Sequence, residues 1–459
     1  MPPPPDPFHV LRTHSASLAS IAFGGGNTLL YSGGQDGFVS ITDLRTRRSI
    51  LFWKAHEGGV LGVGEWDGRL ITHGRDNLIH IYDRLPLVRR AGQLNGAPTS
   101  GSGLEIWKSL SVNSLNFCGF TLLPIPVSTS VPASSGSSSA GARAKGDGEA
   151  EALLAVPNLL DTELADIYHL PSMRRLHAGV NTPKANQKGK AKAGPADATR
   201  SGLIMSLHLR FLRLEAAMAS SSSKHGDREQ GKLVLVLGYE DGRVDMWGMP
   251  VDTGSTEGGE ESWRAFSDGS GQVGKRGWEV MWSGKGHNEA VMAMAVSSDA
   301  RYAYTVSADH LLVKYDMARL TLQALTDPSS QNLVTSFSTK QIGNASLAIS
   351  SSDTILAVGG WDGKVRLFSA ASGKPLGTLG YHRETVQCLA FPQGAEEETG
   401  EAEVLPDPST IELGEEDSDD DDGPGGRGGG KERWFVSGGK DRRVALWELM
   451  DFTRVEGGG

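Results

Sequence analysis

The sequence predicts an all-β fold, a seven-bladed β-propeller, on three observations. One short signature recurs along the chain: a small-residue pair, an Asp in a tight turn, an apolar alternation, and an aromatic or apolar residue six places after the Asp. Recurrence on this scale is the mark of a propeller. Each copy also carries the period-two alternation of a half-buried strand, as in Val244-Asp245-Met246-Trp247 and Val365-Arg366-Leu367-Phe368. Finally, the 459 residues exceed the roughly 300 that seven blades need, and the surplus is low-complexity sequence. Because each unit buries its faces only against its neighbours, one closed domain is expected over residues 1–459.

The clearest copies are Ser437-Gly438-Gly439-Lys440-Asp441 running to Trp447 and Gly238-Tyr239-Glu240-Asp241-Gly242 running to Trp247. Gly359-Gly360-Trp361-Asp362-Gly363 runs to Phe368, Ser307-Ala308-Asp309 to Tyr315, and Gly74-Arg75-Asp76 to Tyr82. In Ser32-Gly33-Gly34-Gln35-Asp36-Gly37 the closing aromatic is replaced by Thr42. The third copy has lost its glycines but keeps a strand, Leu153–Pro157, and the spacing of six from Asp161 to Ile167-Tyr168. The turn aspartates are therefore Asp36, Asp76, Asp161, Asp241, Asp309, Asp362 and Asp441. Blades are expected over 14–50, 56–90, 107–176, 203–249, 287–320, 342–373 and 382–449, with Ser111–Phe117 and Leu203–Leu209 opening the third and fourth. Phe8–Arg12 alternates like a strand ahead of the first blade, and is expected to complete the last blade and remove an exposed edge.

Where a glycine lies beside the Asp it supplies positive φ, and the Asp can bond nearby backbone N–H groups. A His opens four of the blades, at His14, His56, His287 and His382, and a Ser or Thr precedes the Asp by four residues at Ser32, Thr72, Thr305 and Ser437. Together His, Ser/Thr and Asp resemble a hydrolase triad. A triad occurs once, whereas this set recurs with an aromatic partner, so it reads as a hydrogen-bonded structural staple. His382, Ser437, Asp441 and Trp447 form the fullest set; His56, Thr72, Asp76, Tyr82 and His287, Thr305, Asp309, Tyr315 are close variants. No catalytic, cofactor-binding or metal-binding residue is expected.

Five stretches are too poor in apolar residues to offset their ordering entropy and are expected to be disordered loops: 128–148, 179–200, 219–231, 253–277 and 396–430. The last dominates the net charge of −10, with fifteen acidic residues against Arg427 and Lys431 between Glu396 and Glu432. The remainder is near neutral, which is not the basic footprint of a nucleic-acid binder. Within the acidic run, Ser418 reads either as part of a solvating loop or as a phosphoserine site for an acid-directed kinase. Lys184, Lys188, Lys190 and Lys192 read as a diluted linker rather than an import patch. Gly269–Gly274 matches G-x-G-x-x-G but follows no strand and opens no helix. Two cysteines, Cys118 and Cys388, make neither a disulfide framework nor a C-x-x-C site. The proline-rich start lacks the basic and apolar regions of a signal peptide, and no apolar run approaches the roughly 20 residues of a membrane span. The chain reads as cytosolic or nuclear, the resemblance described next implying the nucleus, and no membrane, nucleic-acid or small-molecule partner is expected.

Several blade-specific stretches go beyond a generic WD repeat. Trp53–Gly62 with Leu70–Asn77, Val112-Asn113-Ser114-Leu115-Asn116-Phe117-Cys118, Val156–Asp161 with Ala165–Ser172, Ser307–Tyr315 and Gly360–Phe368 resemble the fungal ASTRA-associated WD-repeat proteins, whose animal relatives are described as G-protein β-subunit-like. The resemblance spans all blades and skips the insertions. It implies a non-enzymatic scaffold of the ASTRA assembly, linked to chromatin remodelling and to biogenesis of phosphatidylinositol-3-kinase-related kinases. The implied partners are RuvB-like AAA ATPases, kinase co-chaperone subunits and a large kinase-related scaffold. Contacts are expected at turn positions the propeller does not need: Arg75 and Asn77, or Tyr168, His169 and Ser172. One rival reading is a substrate receptor of a cullin-based ubiquitin ligase, since Thr42-Asp43-Leu44-Arg45 echoes W-D-x-R without its Trp. The other is an enzyme with a site in the central channel, which would need convergent titratable groups near the axis.

Overall fold

A computed structural model of the chain describes residues 5–84, 103–125, 150–181, 202–213, 230–252, 277–323, 333–394 and 433–450. Within them the alternating segments pair into seven four-stranded antiparallel sheets, arranged as consecutive meanders. Blade one is Leu18–Gly24, Leu29–Gly34, Phe38–Asp43 and Arg48–Lys54. Blade two is Val60–Trp66, Arg69–Gly74, Leu78–Tyr82 and Ile106–Ser111, and blade three is Thr121–Ile125, Glu151–Pro157, Ala165–Leu170 and Arg174–Val180. Blade four is Ile204–Arg213, Gln230–Tyr239, Arg243–Asp252 and Glu279–Lys285. Blade five is Val291–Val296, Tyr302–Ser307, Leu311–Asp316 and Val334–Ser338, and blade six is Asn344–Ile349, Ile355–Gly360, Lys364–Ser369 and Pro375–Gly380. Blade seven is Val386–Ala390, Trp434–Gly439, Val444–Glu448 and, from the start of the chain, His9–Leu11. One α-helix is present among the described residues, Met317–Gln323, after the third strand of blade five.

Burial follows position in the blade. Second strands lie between neighbouring blades and are buried nearly throughout, as Leu29–Gly34 is. Outer strands reach water, and Arg48–Lys54 or Val334–Ser338 are half-exposed. The small-residue pair of the signature is a packing device. A Cβ on the first glycine would meet the next blade: Val60 at 2.5 Å from Gly33, Val291 at 2.7 Å from Gly238 and Val386 at 2.9 Å from Gly359. The ring closes in register, with His9 opposite Leu446 and Leu11 opposite Val444. Leu11 then joins Leu18, Leu30, Val444 and Leu446 in a core cluster shared by blades seven and one. Burying such a leucine contributes about 1.5–3 kcal/mol.

Several boundaries differ from the sequence reading. Ser111–Phe117 is not the opening strand of blade three; Ile106–Ser111 is the outer strand of blade two, and blade three opens at Thr121. Blades one to six extend beyond their expected ends because the outer strand lies past the signature position, whereas blade seven takes its outer strand from His9–Leu11. The expected insertion 179–200 overlaps the end of Arg174–Val180, and 219–231 overlaps the start of Gln230–Tyr239. The rest of these two stretches, apart from Asn181, lies outside the described residues, as do 128–148, 396–430, all of 253–277 except Gly277, Ser418, the four lysines of 184–192 and Gly269–Gly274.

Because the strands alternate in direction, the Asp turns and the links between blades share one face of the ring, called the turn face here. The other hairpin turns lie on the opposite face.

Candidate functional site

The turn face is built first by the aspartates. Asp36, Asp161, Asp241, Asp309, Asp362 and Asp441 each accept a hydrogen bond from the backbone N–H two residues on, at 2.9–3.3 Å. The following residue has positive φ in five turns: Gly37, Asn77, Gly242, Gly363 and Arg442. At the glycines the need is also one of space. A Cβ would lie 2.1 Å from the His56 carbonyl at Gly37, 2.2 Å from that of His287 at Gly242 and 2.3 Å from that of His382 at Gly363. Each turn is thus moulded to the histidine that opens the next blade.

Four blades carry the staple, in two degrees of completeness. In blade seven His382 Nδ1 lies 3.0 Å from Asp441 Oδ1, and Nε2 lies 2.9 Å from Ser437 Oγ. The Trp447 indole N–H donates to the same hydroxyl at 2.9 Å. In blade two His56 lies 3.0 Å from Asp76 and 2.7 Å from Thr72. In blade five His287 lies 3.0 Å from Asp309 and 2.8 Å from Thr305, whose hydroxyl is 3.3 Å from that of Tyr315. Blade one keeps only His14 to Ser32, at 2.8 Å, and Asp36 bonds Ser15 instead. Burial pushes His56 and His287 below the usual imidazole value, against the pull of Asp76 and Asp309. The neutral ring can therefore donate from Nδ1 to the carboxylate and accept at Nε2 from the hydroxyl.

The other blades brace their turns differently. Blade four has Tyr239 two residues before Asp241, where blades one, two, six and seven have glycine. The buried Tyr239 ring fills that space, and its hydroxyl accepts from Asn181 Nδ2 at 2.7 Å. In blade six Arg366 grips Asp362 at 2.7 and 3.1 Å. Partial burial works against the Asp362 charge, but the Arg366 guanidinium holds its carboxyl below the ordinary carboxylate value. Blade three uses asparagine: Asn113 Nδ2 donates to the Asn158 carbonyl at 3.1 Å, and Asn116 Nδ2 donates to the carbonyls of Thr162 at 2.7 Å and Ile204 at 3.0 Å. Sequence reasoning missed this brace because asparagine is common in any loop.

At the ring axis the first strands of the blades surround a cavity of about 490 Å³ open to the turn face, whose wall includes Gln35, Arg75, Phe117, His208, Met294 and Gln387. His208 donates from Nε2 to the Met294 carbonyl at 3.0 Å, and burial pushes its pKa down to about 3, too low for a useful base near neutrality. Burial also holds the thiols of Cys118 and Cys388 up at about 12, so neither is a ready nucleophile.

One cluster has metal-ligand composition: His56, Asp76 and His80. Its geometry does not suit an ion. The two imidazoles stack, with centroids 4.8 Å apart and planes 14° from parallel. Imidazole lone pairs lie in the ring plane, and two stacked planes share no point at ligand distance. His80 Nδ1 is also engaged with Ser109 Oγ at 2.8 Å.

The expected contact positions separate. Arg75 is exposed on the turn face, its guanidinium 4.2 Å from the centre of the Phe117 ring. Asn77 is exposed but structural, since its Oδ1 accepts from the Ser114 hydroxyl at 2.7 Å and from its N–H at 3.3 Å. Tyr168 is only 9% exposed and packs among Trp66, Ile79 and Leu154, so it is not a contact residue. It lies in the third strand of blade three, Ala165–Leu170, in which every residue but His169 is buried. His169 and Ser172 bond each other at 2.7 Å in the hairpin turn on the opposite face.

A family model described as "WD domain, G-beta repeat" matches residues 5–43, 278–316 and 327–369. Each match takes in the outer strand of one blade and the three inner strands of the next. This is a WD-repeat β-propeller. The resemblance to the ASTRA-associated proteins of fungi holds along the chain. ASTRA-associated protein 1 of Penicillium rubens is 26% identical, over 97% of this chain and 98% of that protein. The protein of the same name from Schizosaccharomyces japonicus is 28% identical, over 85% of this chain and 94% of its own. A mouse protein named guanine nucleotide-binding protein subunit beta-like protein 1 is 25% identical, over 85% of this chain and 91% of that protein. The WD-repeat propeller and the names of these relatives point to a non-catalytic scaffold fold.

Proposed function

We infer that this propeller is a nuclear, non-enzymatic scaffold subunit of an ASTRA assembly, acting in chromatin remodelling and in the biogenesis of phosphatidylinositol-3-kinase-related kinases. Its partners in this reading are RuvB-like AAA ATPases, kinase co-chaperone subunits and a large kinase-related scaffold. The observation that carries the reading is the end-to-end match to a fungal protein named for that association. The chemistry of the ring is consistent with it: the repeated polar constellations hold turns together, and the axial cavity pairs a weakly basic histidine with protonated thiols. Affinity purification of the tagged full chain tests it. Co-elution of the ATPases and co-chaperone subunits is the expected result. Recovery of a cullin-ligase adaptor alone would replace this reading with that of a substrate receptor.

A further inference from the structure

On the turn face, blade three inverts the usual surface arrangement. Two loops build it: residues 112–120, ahead of Thr121–Ile125, and residues 158–164, between Glu151–Pro157 and Ala165–Leu170. Their asparagines face inward and tie the loops to each other and to blade four. The same side chains fold each loop back on itself: Asn113 Oδ1 accepts from the Leu115 N–H at 2.8 Å and Asn158 Oδ1 from the Leu160 N–H at 2.9 Å. Four apolar side chains face outward, with Leu115 66%, Phe117 58%, Leu159 48% and Leu160 93% exposed. Phe117 also holds φ at 56°, a left-handed conformation that a bulky side chain rarely adopts. A braced, water-exposed apolar cluster of this kind marks an interaction site.

Charge gives the cluster two different ends. Arg75 lies over the Phe117 ring at one end, and the exposed Asp161 follows Leu160 at the other. At Phe117 the cluster meets the wall of the axial cavity, which offers a recess for one inserted side chain. Arg beside an aromatic ring at a recess is the composition of an interface anchor. The occupant has to be read by side chains, because these are loops rather than a strand edge, and the Leu115 and Leu160 N–H groups are already taken. These loops do not suit an added β-strand and suit a helix presenting apolar residues at i, i+3, i+4 and i+7.

We propose that the blade-three loops, with Arg75 and Asp161 at their ends, dock an amphipathic helix of another polypeptide that sets a carboxylate against Arg75, a cation against Asp161, and an apolar side chain beside Phe117. This deepens the scaffold reading above and rests on it.

The test uses the full chain carrying a photo-cross-linking residue at Leu160, with L115E/L160E, R75E and, as a control on an exposed outer strand, V280E. The expected adduct is an amphipathic helical segment of a companion subunit. L115E/L160E should weaken binding of that purified subunit at least about tenfold; R75E should weaken it less and be rescued by reversing the facing carboxylate; V280E should leave it unchanged. Undiminished binding by L115E/L160E, an adduct with a second copy of this chain, or an adduct with an extended segment each overturns the proposal. The functional reading fails separately. If affinity purification brings down companions of another class, yet Leu160 still cross-links to an amphipathic helix, the surface stands and the ASTRA reading falls.

Discussion

Trp447 and Ser437 are joined by an indole N–H donated to a hydroxyl oxygen at 2.9 Å, in one of the most buried corners of the ring. The same hydroxyl bonds His382, and His382 bonds Asp441. Four side chains from a blade link, two strands and a turn thus satisfy one another where water does not reach.

Removing the carboxylate should therefore be felt through the whole set. Asp441→Ala should destabilise the chain by about 1–3 kcal/mol, the cost of leaving buried polar partners unmet. Urea unfolding of the purified variant measures this. Unchanged stability would mean that the staple contributes nothing.

The moulding of each turn to the next blade predicts a sharp asymmetry at one position. Gly242→Ala would place a methyl 2.2 Å from the His287 carbonyl at φ +84°, and should cost about 1–3 kcal/mol or more. Arg442→Gly, in the equivalent place at φ +67°, should change stability by no more than about 1 kcal/mol. Thermal melts of both variants compare them directly.

Buried histidines set the acid limit. Burial pushes His14 and His73 down to about 4 from the ordinary 6.5. A folded-state value below the unfolded one means that the unfolded chain takes up protons first as pH falls. Stability is full above about 6.5 and declines towards 4, by an order of 1–3 kcal/mol per histidine. Melting temperature should fall steadily between pH 6.5 and 4.5. His73→Gln should blunt the slope, and a slope unchanged by that substitution would contradict this account.

Val386–Ala390 and Trp434–Gly439 pair with Val386 opposite Gly439 and Ala390 opposite Val436, so the strands meet whatever joins them. Replacing 396–430 by a short Gly/Ser linker should move the melting temperature by only a few degrees, because closure entropy varies slowly with loop length. A fall of many degrees would show that the acidic stretch packs on the ring.

The architecture is legible in the sequence because its causes are local. A glycine that clears the neighbouring blade, an Asp that caps its own turn and a His some twenty residues upstream leave fixed spacings, as His56, Thr72 and Asp76 do. Outer strands are not legible, since a half-exposed strand such as Ile106–Ser111 has little apolar pattern. The loop around Leu115 and Phe117 misleads for the opposite reason. Its apolar residues look like the inward face of a strand, yet asparagine braces turn them outward. Tyr168 shows the converse, a polar-tipped residue buried because its strand, Ala165–Leu170, is covered on both faces.

The pairing of His9–Leu11 with Val444–Leu446 sets an order of events in synthesis. The strand His9–Leu11 has its partner made some 430 residues later, roughly 20–90 s at ordinary translation rates. Until then Leu11 can meet Leu18 and Leu30 of blade one but lacks Val444 and Leu446, the blade-seven half of its core cluster. Until Val444–Leu446 is made, the nascent propeller is an open arc. A stop ahead of Val444 would release a chain that holds blades one to six and still cannot lock.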